Sequence, residues 1–146
     1  MKAHIGVDAD SGLARTVIGT AANLNDVRQG HGLLQRRETV VFADAHYHGA
    51  IKRPEATGLD WHVAMRPGKR RALNKHSSWA SLLDKAEQLK ASVRAKVKHP
   101  FRMIKCQFGF TKARYKGLIK NTAQLMTLFA LSNVWMTRRH LQGARG

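Results

Sequence analysis

Short runs of strand length occupy the first 65 residues, and helical spacing takes over from Ser78; few folds accept that order. Lys2–Val7 and Leu13–Thr20 flank the cluster Asp8-Ala9-Asp10-Ser11-Gly12. Asp and Ser side chains bond local backbone and glycine supplies positive φ, so the two runs predict an antiparallel hairpin. Asn23 or Asn25 can cap a following helix with Leu24, Val27, Leu33 and Leu34 as its apolar face. Glu38–Ala43 carries two β-branched valines and predicts a strand buried on both faces, with Asp44 directly after it. A short helix is expected within Tyr47–Ala56 and a further strand at Trp61–Met65, followed by a basic turn, Arg66 to Arg71.

From Ser78 the residues Trp79, Leu82, Leu83, Ala86, Leu89, Val93 and Val97 recur at helical spacing. Pro100 is expected to bend or end that helix, with Ile104 and Phe108 continuing the stripe and His99 packing the bend. Gly109 to Gly117 reads as a basic loop. Asn121, with Gln124 three residues on, predicts the start of a last helix, whose face is Leu125, Leu128, Phe129, Leu131, Trp135 and Leu141. The order of elements is mixed α/β.

Charge divides the chain in the same place. Met1–Met65 holds 7 basic and 7 acidic residues, whereas Arg66–Lys120 holds 16 basic and 2 acidic, and no carboxylate side chain follows Glu87. A formal charge of +17 repels itself in a compact state, so a polyanion is the natural partner: DNA or RNA first, an anionic membrane surface second. The longest apolar stretch, Leu125–Met136, is far shorter than the ~20 residues of a membrane span. Cys106 is the single cysteine, which excludes an intrachain disulfide and fits the cytoplasm; it reads as a spectator, with nothing nearby to activate it. His46 and His48 form a pair without the further ligands of a zinc site. Trp61, Trp79 and Trp135 read as core residues. Phe108, Phe110 and Tyr115 alternate with Lys105, Lys112, Arg114 and Lys116, a composition open to loop packing or to contact with unpaired bases.

The blocks KAHIGVDADSGL, TAANLNDV, VFADAHYHG, KRP, WHVAMRPGKRR, RAKVKHPFR, FGF and NTAQLMTLFALSNVW resemble the DDE transposases of bacterial insertion sequences, in order and from Lys2 to about Leu141. The resemblance implies a ribonuclease-H-like mixed sheet flanked by helices. It implies DNA recombination by cleavage and strand transfer of phosphodiesters, with Mg²⁺ as cofactor. Two hard cations beside a polyanion need about three carboxylates brought from different elements. Asp44 matches the second of these. The third belongs to a motif of Arg, three residues, Glu, six residues, Lys, which here is Arg94, Lys98 and Lys105, expected on one face of one helix. Lys98 thus stands where the Glu belongs, and an ammonium repels a divalent cation. Glu87 lies eleven residues earlier, roughly 16 Å along a helix axis. The first carboxylate is expected on a strand preceding Met1, and Asp8 is better explained as hairpin chemistry. The residues expected to meet DNA phosphates are Arg94, Lys105, Arg102, Lys69, Arg70, Arg71, Lys112, Arg114 and Lys116.

The expectation is therefore one incomplete transposase catalytic domain over residues 1–146. Residues 1–65 would supply the hairpin and central strands, and residues 66–146 a basic helical part. DNA is its expected partner, and a second copy or an intact transposase a further one. Cleavage would be lost and DNA binding retained. The competing readings are a basic nucleic-acid-binding protein that regulates an intact transposase, and a structural component of a ribonucleoprotein.

Overall fold

The computed structural model describes residues 1–35, 37–74 and 76–143. The chain divides into two compact units, Met1–Asn25 with Lys96–Gly146, and Asp26–Ala95.

In the first unit β1 (Lys2–Val7) and β2 (Ala14–Thr20) form the expected antiparallel hairpin, with a register shift between Gly6 and Val7. Asp8 makes the turn. Its Oδ1 accepts from the N–H groups of Asp10 (2.9 Å) and Ser11 (2.8 Å), Gly12 turns at φ 73°, and the Arg15 guanidinium closes on Oδ2 at 2.9 Å. Those bonds favour the carboxylate and hold the Asp8 pKa down at about 2, the two backbone donors contributing most. Asp8 is thus used up by the turn.

Two helices cover this hairpin. α3 (Lys98–Cys106) is sharply two-faced: Pro100 and Ile104 are buried, while Lys98, Arg102 and Lys105 are exposed. α4 (Leu118–Gly143) buries Leu125 and Phe129. Ile5, Ala14, Ile104, Leu125 and Phe129 form the core, with Phe101 set edge-on to Phe129 at 5.2 Å between ring centroids. Each large side chain buried there stabilises the unit by about 2 kcal/mol through removal from water. The Asn133 amide fastens α4 to β2, accepting from Ala14 N–H at 2.9 Å and donating to its carbonyl at 2.7 Å.

In the second unit β3 (Val40–Ala43) and β4 (Asp60–Val63) pair in parallel, Ala43 opposite Val63. α1 (Pro67–Arg71) and α2 (Ser78–Ala95) follow.

Several expectations are corrected. Among the described residues the strands form two separate two-stranded sheets instead of one mixed sheet. β3 is paired on one edge only, and Val40 is exposed instead of buried. The helices expected after Asn25 and within Tyr47–Ala56 are isolated 3-10 turns, where Gly30, Gly32, Gly49 and Pro54 deny them length. The basic turn at 66–71 contains the short helix α1.

The long helix stops earlier than expected, at Ala95. Pro100 has no N–H for the Lys96 carbonyl and its ring crowds that oxygen. His99 N–H takes the carbonyl instead at 3.0 Å, so the break falls four residues before the proline and Pro100 sits inside α3. Arg94 and Lys98 are consequently on separate helices. α2 also faces opposite to its apolar stripe: Trp79 (68 %), Leu82 (59 %) and Leu89 (70 %) are exposed, and Glu87 is buried. Trp79 is therefore no core residue, and Trp135 is also exposed. Asn121 does not start α4, which begins three residues earlier; its side chain reaches back into the preceding loop.

Candidate functional site

The inward face of α2 is polar because the strand ends of the second unit need partners. Glu87 Oε2 accepts from Met65 N–H at 2.9 Å, just past the end of β4. Glu87 Oε1 meets Lys90 Nζ at 2.7 Å, and Lys90 also donates to the Val63 carbonyl at 3.4 Å. Burial raises the Glu87 pKa, but the Lys90 and Met65 bonds with the nearby charges outweigh it and leave the group lowered. Asp84 likewise holds Arg70 at 2.7 Å and raises its pKa. The only acidic residues of α2 are thus engaged in fastening it to its own unit.

Asp44 follows β3 and caps the 3-10 turn that begins at Ala45, accepting Ala45 N–H at 2.6 Å. Parallel β3–β4 pairing leaves this strand end open, the usual place for ligands in open α/β sheets. Arg94, one turn beyond Lys90, brings Nη1 to 3.6 Å from Asp44 Oδ1. His46 Nδ1 lies 3.8 Å from Oδ2. Burial, then the charges of Asp26 and Asp44, push the Tyr47 phenol up. The structure therefore brings together Asp44 and Arg94.

The other basic residues divide by unit. Lys69 and Arg71 are exposed on α1, whereas Arg70 is bound to Asp84. In the first unit Lys98, Arg102 and Lys105 lie four and three residues apart on the exposed face of α3. Neighbouring side chains at such spacing are about 5–6 Å apart at Cβ. Lys112, Arg114 and Lys116 are exposed in the loop that follows, between turns at Gly109 (φ 62°) and Gly117 (φ 88°). No acidic side chain lies anywhere in this stretch of the sequence.

A family model for the transposase DDE domain matches residues 1–134. The chain belongs to that family. No solved structure matches it. The match begins at residue 1 and so takes in the hairpin, Asp44, α2 and α3, which sequence blocks alone had suggested. Transposases act on DNA, and DDE domains use divalent metal ions. The side chains of this transposase DDE domain do not fit such a pair of ions. Asp44 is a single carboxylate already faced by a guanidinium. Among the described residues no three His, Cys, Asp or Glu side chains gather closely enough to hold a metal. Among the described residues no helix is long and apolar enough to cross a membrane.

Sequence reasoning missed the anchoring role of Glu87 and Lys90. Their spacing of three residues on a helix was the available signal. It also missed Lys96, whose Nζ donates to the Ala9 and Asp10 carbonyls of the hairpin turn.

Proposed function

We propose that this chain is a DNA-binding transposase DDE domain that does not cleave DNA. The observation that carries the reading is the charge at the metal-ligand positions: Asp44 lies beside Arg94, and Lys98 occupies the place of the third carboxylate. A divalent cation at Asp44 would meet a single carboxylate and the Arg94 guanidinium that faces it. On this reading the hairpin and the β3–β4 pair derive from a ribonuclease-H-like core. The strand cleavage and transfer of the family have no ligand set here. What remains is the basic surface. Lys98, Arg102 and Lys105 on α3, and Lys112, Arg114 and Lys116 in the loop, would contact phosphates. So would Lys69 and Arg71, with Arg70 held back by Asp84.

Incubation of the full chain with Mg²⁺ or Mn²⁺ and element-end DNA tests the first half of the proposal. No nicked product is expected, and robust cleavage abolished by Asp44→Ala would overturn it. A salt titration of DNA binding tests the second half. Affinity should fall steeply, on the order of a thousandfold between 50 and 200 mM salt if six phosphates are contacted. A flat response would remove it.

The exposed apolar face of α2, with Trp79, Leu82 and Leu89, favours a second reading. Such faces mark protein contacts, so the domain would also associate with an intact transposase and compete for its DNA.

A further inference from the structure

The loop of the first unit is built around one aromatic residue. Asn121 is buried, and its amide accepts from Tyr115 N–H at 3.1 Å and donates to the Tyr115 carbonyl at 2.6 Å and the Gly117 carbonyl at 2.7 Å. The backbone of Tyr115 is thereby clamped, yet the residue is 53 % exposed. A backbone held in place beneath an exposed ring presents that ring to a partner.

Beside it lies a cleft of about 430 Å³, lined by Tyr115, Lys120, Ala123, Gln124, Thr127 and Leu128. Its walls are mostly apolar. Among the polar groups that interrupt them, Lys120 is exposed, and Gln124 Oε1 is buried with no hydrogen-bond partner among the described residues. An amide oxygen withdrawn from water without a donor is costly, so this site calls for an N–H.

We infer that this cleft takes a single unpaired nucleobase of DNA. The inference rests on the DNA-binding reading and narrows it to one subsite. A base offers a flat face to Tyr115, N–H groups on its pairing edge to Gln124, and a phosphate within reach of Lys120. In a paired duplex the face is stacked and the edge is used, so the base must be extruded or single-stranded. An acidic peptide fits the charge but would bring carboxylate oxygens to an orphaned oxygen. A second copy of this chain would bring another basic loop against Lys112, Arg114, Lys116 and Lys120.

Fluorescence anisotropy of the full chain with three probes tests this. They are a fully paired duplex, the same duplex with one bulged adenine, and the same duplex with a bulged abasic site. The adenine bulge should bind about tenfold more tightly than the paired duplex, within the range of one base–aromatic stack. The abasic bulge should gain nothing, which separates the base from the bend. Tyr115→Ala should remove the gain and leave paired-duplex affinity unchanged, Tyr115→Phe should keep it, and Gln124→Leu should reduce it. Equal affinity for the adenine and abasic bulges overturns the base cleft and leaves DNA binding standing. Absence of binding to all three probes at low salt overturns both. A dimer that Tyr115→Ala dissociates, with no change in bulge affinity, identifies the cleft as a contact between copies and overturns the inference.

Discussion

Arg94 Nη1 stands 3.6 Å from Asp44 Oδ1, so the carboxylate at the end of β3 is faced by a cation from its own unit. Asp44 is well exposed, and exposed pairs contribute little. Arg94→Gln should lower stability by less than about 1 kcal/mol in urea unfolding. A larger loss would mean that Arg94 is a structural anchor instead of a group available to DNA.

On the proposed reading, Lys98→Glu restores the third carboxylate. It should leave α3 folded, because Lys98 is exposed. Its effect should appear as weaker DNA binding together with a gain in Mn²⁺ affinity, read by electron paramagnetic resonance. Unchanged Mn²⁺ affinity would show that the replacement of this one residue is not what disables the metal site.

Glu87 anchors α2 through Met65 and Lys90, and removing it leaves Met65 N–H and Lys90 Nζ short of an acceptor. Glu87→Ala should cost about 3 kcal/mol, as breaking one side of a buried pair does. Its folded pKa is lowered, so its contribution is complete above the unfolded value and is lost as pH falls through the folded one. Wild-type stability should decline on acidification more than that of Glu87→Gln, measured by urea midpoints across the acid range.

Asp8 should titrate at about 2, below its ordinary 3.8. The hairpin turn is therefore fully supported above pH 4 and loosens as pH drops towards 2. Carboxyl carbon shifts in a pH series would measure this, and Asp8→Asn should abolish the transition. A midpoint near 3.8 would mean that the Asp10 and Ser11 donors do not hold the carboxylate in solution.

Each cation on the exposed face of α3 should act as an independent phosphate contact. Single Ala substitutions at Lys98, Arg102 and Lys105 should each reduce the slope of log affinity against log salt by about 0.9. They should leave thermal stability nearly unchanged, whereas Phe129→Ala in the core should cost about 4 kcal/mol. Unaltered slopes in all three variants would place the DNA elsewhere.

Local chemistry was legible wherever a few neighbouring residues decide it. The Asp8 to Gly12 cluster specified its turn because the bonds that Asp8 makes with Asp10, Ser11 and Arg15 close within seven residues. Val40 to Ala43 specified a strand and Asp44 its end. The place of Lys98 in an Arg, Glu, Lys motif came from the resemblance to transposase blocks and remains part of the proposal. The faces of helices were not legible. In α2, Trp79, Leu82 and Leu89 make a clear apolar stripe, but the opposite side is turned inward, since Met65 N–H, the Val63 carbonyl and Asp44 all require polar partners. That requirement comes from strand ends more than twenty residues away in sequence, and periodicity carries no record of it.

By itself, then, the sequence determined the hairpin turn, the strand that ends at Asp44 and the segregation of charge. These depend on identity and on spacing over a turn or two. Only the tertiary structure decided that the strands pair as two separate sheets, that the long helix breaks at Lys96, and that Asp44 meets Arg94. Strand pairing and the Asp44–Arg94 contact join residues far apart in sequence, and the break at Lys96 is settled by which N–H takes the carbonyl that Pro100 leaves unserved.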